Sequence, residues 1–464
     1  MKITEDIRNV HQSLSQAGLE FLDFVQKEPA ALEAASFPVL TTYDDGVVTL
    51  QPWPTFVSRR AMNQLGETAL GLCNLIKSLP KRLFSNDPKK LKDYFVLTED
   101  EAKYLPLCFS DDHLFNLFGR GDFILSPSGL KCVEYNITSN VGGWQLPIWQ
   151  KIYLQNPVIG RFMDEYKIKP VYDRDLVKLL SVFLIDNGLK KFSRNVEELN
   201  VAVIIDGRKN PAATTPHEVY FAEGYKDILK TRYNGLKGDV IICDYPQLNV
   251  KNGRLFLKNK RIHSIIEYYG GYVPLGMLFS FSRGELLIYN GPITPVTVSK
   301  LNIALLSENE DSHLFNTREK EIIKKHVPWT RKIRDIETLY NGKKVNLLNF
   351  IRTNRENLVI KPAGGYGGID VHVGRYISQV SWEQNLENAI NKGDHLVQEY
   401  VESLPLLYQC GENGCCPHIS VWGLFTFGDQ FCGGFTRILP IESDAGVINC
   451  KQGADGSLLF EVEE

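Results

Sequence analysis

The chain has 464 residues, of which 43% are hydrophobic and 11% aromatic, and its formal net charge is −3. This length exceeds that of one ordinary domain, so we expect two or three lobes. The aromatic content excludes a disordered chain. The absence of a basic excess argues against nucleic-acid and membrane-surface partners.

The start of the chain, MKITEDIRNVHQ, is polar and acidic, unlike a secretory signal. No apolar run approaches the roughly 20 residues that span a bilayer. Nine cysteines are spread widely, which favours reduced thiols and a cytoplasmic protein. Cys410, Cys415 and Cys416 lie close to His418, but this spacing matches no standard zinc pattern. We interpret that segment as a loop between two strands.

The first elements in chain order are helical. Residues 1–35 carry a helical apolar period, and a second helix is predicted from about Ser58 to Leu79. From Gly121 the pattern changes to a hairpin: the strand DFILSPSG enters a Pro-Ser-Gly turn and LKCVEYNI returns.

Residues 200–290 predict a small parallel sheet, because the strands LNVAVIID, GDVIICDY and RIHSIIEYYG occur with the helix EVYFAEGYKDILKTRY. Asp206 and Gly207 are a turn signal after the first strand, not a dinucleotide fingerprint. Helices follow up to Val327, and Pro328 is expected to end the last of them. Trp329 is expected to be a packed side chain. The final third of the chain is rich in strands. These patterns divide the chain into segments 1–110, 111–199, 200–290 and 291–464.

A glycine-rich turn follows the strand LVIK. Lys361 ends this strand, the strand IDVHV is expected to return, and the turn between them contains Gly364, Gly365, Gly367 and Gly368. Glycines let backbone N–H groups approach phosphate oxygens, and a lysine supplies a point charge. No GK[ST] opens a helix, so this is not a Walker A loop. The alternative is an ordinary glycine-rich hairpin.

Two carboxylates and an amide lie on the early hairpin. Glu134 and Asn136 are two apart on one strand and share a face, and the hairpin can bring Asp122 opposite them. Such hard oxygen ligands suit Mg²⁺ bound to nucleotide phosphates. The alternative for Glu134 is a solvated strand residue, although its strand neighbours are largely apolar.

The strand HLVQEYVES contains a second nucleotide signal. A purine held at an exposed strand edge needs backbone N–H and C=O groups, and an acidic residue beyond it can hold the ribose hydroxyls. Glu399 and Glu402 are the candidates for this last role. The alternative is the end of an amphipathic strand.

Together these motifs resemble an ATP-grasp ligase of the circularly permuted type, similar to glutathione synthetase and glutathionylspermidine synthetase. In the usual order the D…E-x-N hairpin comes last, whereas here it precedes the lysine and the glycine turn. The resemblance runs from about Arg120 to the end of the chain. It implies an α/β (α+β) ATP-grasp fold in permuted order, with an inserted parallel-sheet lobe at 200–290 and a helical N-terminal segment.

The resemblance also implies residue roles. The Mg²⁺ ligands would be Asp122, Glu134 and Asn136. The substrate carboxylate would meet Arg120, and TSNVGG would be a substrate-binding turn. The nucleotide phosphates would be bound by Lys300, Lys361 and a flap formed by Gly364, Gly365, Gly367 and Gly368. Adenine would be held by the backbone of Gln398, Glu399, Tyr400 and Val401, with Glu402 near the ribose.

The C-terminal part resembles the catalytic lid of the family. Arg437 would stabilise the transferring phosphoryl group, and Asn449 and Lys451 in the following loop would reach the γ-phosphate or the nucleophile. One feature departs from glutathione synthetase, in which a glutamate follows the flap lysine closely. Here no carboxylate follows Lys361 before Asp370, so either Asp122 takes that role or one metal position differs.

The resemblance implies a ligase that uses ATP and Mg²⁺ to activate a carboxylate as an acyl phosphate and then joins it to an amine. Small-molecule carboxylates and amines, of amino-acid or peptide type, would be its partners, and a homodimer is the assembly to test. Two alternatives remain: a small-molecule kinase on the same fold, and a non-catalytic ATP-binding protein.

Overall fold

The computed structural model describes residues 3–27, 40–42, 46–193, 196–205, 215–269, 273–365, 367–410, 414–443 and 446–464. The side chains at 40–42, 46–48 and 451 lie outside this description, and so does the turn expected at Asp206 and Gly207.

The α-helices of the described residues are α1 (Glu5–Leu14), α2 (Gln16–Lys27), α3 (Arg59–Phe84), α4 (Pro88–Phe95), α5 (Glu99–Lys103), α6 (Asp111–Phe115), α7 (Leu146–Gln155), α8 (Pro157–Tyr166), α9 (Leu176–Phe192), α10 (Pro216–Arg232), α11 (Leu275–Ser282), α12 (Thr294–Thr297), α13 (Leu301–Glu308), α14 (Thr317–His326), α15 (Leu347–Thr353) and α16 (Gln379–Lys392).

The strands are β1 (Leu40–Thr42), β2 (Gly46–Val48), β3 (Thr55–Ser58), β4 (Phe118–Ser126), β5 (Gly129–Asn136), β6 (Lys169–Pro170), β7 (Val201–Ile205), β8 (Val240–Cys243), β9 (Leu248–Lys251), β10 (Arg254–Leu257), β11 (Lys260–Ile262), β12 (Ser264–Tyr269), β13 (Leu287–Tyr289), β14 (Thr330–Lys332), β15 (Glu337–Tyr340), β16 (Lys343–Asn346), β17 (Leu358–Pro362), β18 (His372–Val373), β19 (His395–Glu399), β20 (Leu406–Cys410), β21 (Gly414–Phe427), β22 (Gln430–Pro440) and β23 (Asp455–Glu463).

An eight-stranded sheet, called the large sheet below, carries the early hairpin. Its main order is β3-β23-β22-β21-β4-β5, with β20 paired to β21 and β6 paired to β23. The hairpin β4–β5 closes as the sequence predicts. Gly129 has a φ of +96°, which suits glycine, and the Ser126 hydroxyl donates to the Gly129 carbonyl at 2.7 Å.

Two four-stranded sheets flank the large one. The order β13-β12-β7-β8 is parallel throughout, as the segment 200–290 predicts. The order β14-β19-β17-β18 is antiparallel and carries the lysine strand; it is called the small sheet below.

Among the described residues, buried apolar side chains form three larger clusters. One joins the N-terminal helices to the large sheet around Trp53, Trp149 and Trp422. Another fills the parallel-sheet lobe around Ile265. The third lies under the small sheet around Trp382. The first cluster also contains Leu396 of the small sheet, so the large and small sheets share part of one core.

Several expected elements differ in the structure. The N-terminal segment is largely helical, but β3 from this segment pairs in parallel with β23 at the end of the chain. Helix α3 continues past Leu79 through the buried Pro80 to Phe84, because the packing of this turn outweighs the helix-breaking tendency of proline. His326 ends α14 before Pro328, as predicted, and Trp329 packs on Tyr340.

Two further expectations about strands are corrected. The returning strand IDVHV shortens to His372–Val373, because Asp370 adopts a left-handed φ of +56°, which no extended strand allows. Cys410, Cys415 and Cys416 lie on the paired strands β20 and β21 and not in a loop.

Candidate active site

The predicted metal-binding hairpin presents four polar side chains on one face of the large sheet. Asp122 lies opposite Glu134, and Arg120 lies opposite Asn136. Residues that are opposite, or two apart on one strand, share a face of the sheet. The carboxylates, the amide and the arginine therefore converge, as the sequence predicts.

Asp122 is engaged by two arginines in the structure. Arg120 donates from Nε to Oδ1 at 2.8 Å and from Nη2 to Oδ2 at 3.1 Å. Nη2 of Arg437, which lies on β22, is 2.8 Å from the same Oδ2. Burial disfavours the charged carboxyl, but the two guanidinium charges outweigh it and lower the pKa of Asp122. Both carboxylate oxygens of Asp122 therefore accept from arginines, whereas the sequence predicts that Asp122 binds Mg²⁺.

A glycine on the strand between Asp122 and Arg437 leaves room for the side chains of Phe435 and Arg120. Gly423 on β21 lies opposite Asp122, between the strands that carry these two residues. A Cβ at this position would come within 2.7 Å of the Phe435 ring and 3.2 Å of the Arg120 Cδ. Sequence reasoning missed this role, although a glycine inside the apolar run VWGLFTF is a recognisable signal of close approach.

The two predicted phosphate lysines lie beside the hairpin. The Lys300 Nζ is 3.3 Å from Glu134 Oε1 and donates to the Gly365 carbonyl at 2.9 Å. The Lys361 Nζ is 3.3 Å from the carbonyl oxygen of Val133, where the strand register shifts. Burial lowers the pKa of Lys361 to about 8, with Glu134 opposing that shift and Lys300 adding to it. The early hairpin and the late lysine strand therefore meet in one cleft.

The side chain of Gln398 fixes Lys361 from the opposite side. Its Oε1 accepts from the Lys361 Nζ at 2.6 Å, and its Nε2 donates to the Thr330 hydroxyl at 3.1 Å. Gln398 is only 1% exposed. It was predicted for its backbone, and the structure adds a side-chain role to that prediction.

The strand predicted to hold adenine is not an exposed edge. β19 has β14 on one side and β17 on the other, and the N–H groups of Glu399 and Tyr400 already donate to the Trp329 and Asn357 carbonyls at 2.8 Å. The edge expected there is corrected accordingly. Beyond β19 the chain leaves the sheet at Val401, which is partly exposed, and Glu402, which is exposed.

The glycine flap touches the C-terminal lid. Gly365, Gly367 and Gly368 have φ values of +92°, +73° and +75°. A Cβ on Gly364 or Gly365 would meet nothing within 4 Å, whereas one on Gly368 would lie 2.7 Å from Val447 in the lid. The flap therefore faces open space at one end and the lid at the other.

The lid continues over the arginine pair. Burial raises the pKa of the Cys450 thiol, while the nearby charges of Arg437 and Arg120 oppose that rise. Cys450 follows Asn449, whose carbonyl accepts from the Gln452 amide at 2.9 Å. The side chain of Lys451 lies outside the described part of the chain. The lid thus places Asn449 close to the predicted phosphoryl site.

A cavity of about 570 Å³ opens beside Lys300 and the flap. Its lining combines the N-terminal segment, the turn at 138–140, the parallel-sheet lobe, the segment 291–299, the start of the flap and Asp394. Representative residues are Tyr104, Ser139, Glu267, Ser299 and Gly364. The Ser139 hydroxyl donates to the Glu267 carbonyl at 2.8 Å. Sequence reasoning named no site residue in the N-terminal segment or in the parallel-sheet lobe.

No group of three histidine, cysteine or acidic side chains is placed to hold a metal ion within the described part of the chain. The neighbouring Cys416 and His418 are 3.9 Å apart, and the imidazole Nδ1 is 2.8 Å from the Cys416 carbonyl oxygen. A cysteine-based metal site therefore has no support from the described residues.

Comparison with solved structures identifies the fold. A glutathione synthetase-like effector from Globodera pallida superposes with a TM-score of 0.58 at 10% identity, covering 95% of this chain and 97% of that one. A Methylobacillus flagellatus KT protein described as a candidate gamma-glutamylcysteine synthetase gives a TM-score of 0.41 at 13% identity, covering 84% and 88%. No protein-family model and no curated protein sequence matches the chain.

At this level of identity the similarity establishes the glutathione synthetase-like fold and nothing finer. The mixed α/β architecture agrees with the α/β (α+β) fold that the sequence motifs predict. Among the described residues, every helix is too short or too polar to cross a membrane.

Proposed function

We propose that the chain is an ATP- and Mg²⁺-dependent carboxylate–amine ligase that forms an amide through an acyl phosphate. The observation that carries this proposal is the concentration of positive charge in one cleft. Among the described residues, four cations, Arg120, Arg437, Lys300 and Lys361, face two carboxylates, Asp122 and Glu134.

Such a cluster is costly without an anionic ligand, because buried charge must be compensated. Arg437 is only 8% exposed, and its Nε has no hydrogen-bond partner among the described residues. The lowered pKa of Lys361 reflects the same desolvation. Phosphoryl and carboxylate groups would satisfy these donors, and both occur together in acyl phosphate chemistry.

The residues present fit a magnesium ion bound together with nucleotide phosphates. Mg²⁺ is usually held by one or two carboxylates plus phosphate oxygens, so no all-protein cage is required. Glu134, whose side chain is 24% exposed, and Asn136 on the same face offer such oxygens. When bound, the ion would neutralise charge on the transferring phosphoryl group.

The chain itself would position and shield the reactants. A substrate carboxylate oxygen bonds to the γ-phosphorus of ATP as ADP leaves, and an amine then bonds to the acyl carbon as phosphate leaves and the amine loses a proton. Arg437 and the two lysines would hold the developing negative charge. The flap and the lid, which meet at Gly368 and Val447, would exclude the water that hydrolyses an acyl phosphate.

The substrate would occupy the cavity beside Lys300. Its volume of about 570 Å³ lies within the range of roughly 300–1,000 Å³ that small-molecule sites use. It adjoins Ser139, in the turn predicted to bind substrate, and opens towards Gly364 of the flap. A carboxylate bound there could reach the charged cleft. A cytoplasmic location, where ATP is supplied, belongs to the same proposal.

A screen of carboxylate and amine pairs tests the proposal by measuring ADP release and analysing the products by mass spectrometry. We expect ADP release that needs both partners and a product that contains the new amide. Release with one substrate and no amine, giving a stable phosphorylated product, would indicate the kinase alternative. ATP binding without turnover for any pair would favour the non-catalytic alternative.

A matched pair of variants controls the screen. Glu134→Gln should abolish amine-dependent ADP release, whereas Glu285→Gln should leave it unchanged. Both carboxylates are partly exposed and contact a cation, at 3.3 Å from Lys300 and 3.0 Å from Arg261 respectively. Equal activity in the two variants would rule out Glu134 as a metal ligand.

A further inference from the structure

We infer that Asp122 is a positioning residue that holds Arg120 and Arg437 ready for an anion, and that it does not ligate the metal ion. This inference rests on the proposed function, since it assigns the anion to the phosphoryl or carboxylate group in the cleft. It concerns only the residues of the chain, and it can be tested without metal and without turnover.

The two arginines differ in how many donors they retain. All three side-chain nitrogens of Arg120 donate within the chain: Nε and Nη2 to Asp122, and Nη1 to the Val141 carbonyl at 2.8 Å. Arg437 contacts Asp122 through Nη2, and its buried Nε has no hydrogen-bond partner in the part of the chain that the structure describes. Arg120 is therefore locked in place, while Arg437 keeps donors for a ligand.

The two carboxylates of the cleft differ in how accessible they are to a metal ion. Asp122 is 5% exposed, and its oxygens accept three short contacts from guanidinium groups. A cation approaching it would have to displace a bidentate partner and would meet two positive charges. Glu134 is more exposed, and its one recorded ion pair, with Lys300, is longer at 3.3 Å. Glu134 is thus the better placed metal ligand.

The architecture of the sheet also favours a positioning role. Asp122 and Arg437 stand on β4 and β22, which are separated by β21 and hence by roughly 9–10 Å of sheet. Their side chains meet across β21, where Gly423, opposite Asp122, leaves room for Arg120 and the Phe435 ring. The contact is therefore specified by three strands of the large sheet.

Isothermal titration calorimetry can measure how tightly the chain binds inorganic pyrophosphate in the presence of EDTA. A metal-binding role and a positioning role of Asp122 predict opposite changes in this affinity. If Asp122 only contributed charge or bound metal, Asp122→Asn would remove a negative charge and tighten pyrophosphate binding, as expected for Glu134→Gln. If Asp122 positions the arginines, the variant should weaken binding about tenfold. An amide offers one acceptor oxygen where the carboxylate offers two, so it cannot keep both the bidentate contact with Arg120 and the contact with Arg437.

A double variant distinguishes a specific loss of the contact between Asp122 and Arg437 from a general loss of structure. Arg437→Lys alone should weaken pyrophosphate binding. Adding Asp122→Asn to that variant should weaken binding little further, because both substitutions remove the same contact. Should Asp122→Asn fold poorly, Arg120→Lys, which leaves Asp122 in place but loses the bidentate contact, should weaken binding in the same direction.

Tighter binding by Asp122→Asn, fully additive effects in the double variant, or no pyrophosphate binding by the unaltered chain would each overturn the inference. The measurement is independent of ligase activity. A failed substrate screen with weakened anion binding in Asp122→Asn would therefore count against the proposed function alone.

Discussion

The two cationic halves of the cleft are built differently. The arginine half, Arg120 and Arg437, lies within one sheet and shares a carboxylate, Asp122. The lysine half bridges two sheets, and its cations contact mainly neutral oxygens, those of Gly365 and Gln398.

This difference indicates two kinds of preorganisation. A guanidinium paired with a carboxylate keeps its charge and orientation at any ordinary pH. Lys361, held by carbonyl and amide oxygens, is desolvated without full compensation, so its pKa is lowered. We therefore expect the arginine half to control the chemical step and the lysine half to control nucleotide affinity, with a pH dependence that arises from Lys361.

The largest effect is expected for Arg437→Ala. Loss of a preorganised cation at the transferring group should lower the rate of amine-dependent ADP release by about 10²–10³-fold, with a smaller change in the KM for ATP. Arg254→Ala is the control, since Arg254 pairs with Glu285 at 3.0 Å in the parallel-sheet lobe, outside the cleft. A loss confined to KM would contradict the division between the two halves.

A smaller effect, on nucleotide affinity, is expected for Lys361→Met. Removal of the charge should raise the KM for ATP by roughly tenfold or more. In the unaltered chain kcat/KM for ATP should fall as the pH rises through about 8, where Lys361 loses its proton. The variant should lack that limb of the pH profile, and an unchanged profile would show that another group titrates.

The same lysine gives a stability prediction of definite sign. Its folded pKa of about 8 lies below the usual value of 10.5, so the unfolded chain binds more protons between these values. The free energy of unfolding contributed by Lys361 therefore rises with pH across that window. Denaturant titrations should show Lys361→Met more stable than the unaltered chain at pH 7, with the difference shrinking towards pH 10.5.

The flap offers a matched glycine pair with a moderate expected effect. Gly368→Ala places a Cβ 2.7 Å from Val447 at a φ of +75°, whereas Gly364→Ala meets nothing within 4 Å. The strain should impair closure of the flap on the lid, raising the KM for ATP about fivefold and increasing amine-independent ADP release. Equal behaviour of the two variants would show that the flap and the lid need not meet.

The smallest effect is expected for Gln398→Leu. Lys361 would lose its acceptor at 2.6 Å but keep the Val133 carbonyl. The KM for ATP should therefore rise only about threefold, at the lower end of what one hydrogen bond contributes. Gln379→Leu is the control, because that exposed glutamine donates to Glu383 at 2.8 Å on the surface helix α16. If Gln398→Leu raised the KM for ATP more than Lys361→Met does, the charge of Lys361 would not be the main contribution to ATP affinity.

Much of the fold follows from local patterns. The turn at Ser128–Gly129, the parallel strands of the lobe and the end of α14 before Pro328 all match the sequence prediction. Their determinants act over a few residues: apolar periodicity, a positive φ that requires glycine, and the missing N–H of proline. The failures also have local causes, as at Asp370, whose left-handed backbone shortens β18.

The sequence by itself determined which residues could bind metal and phosphate, because residue chemistry and spacing on one strand or turn are local properties. Only the tertiary structure decided that Asp122 meets Arg437, that Lys361 reaches the Val133 carbonyl, and that the first strand of the large sheet pairs with the last. Such contacts join positions far apart in the chain. They depend on strand order and on empty space such as that at Gly423, which no periodicity encodes.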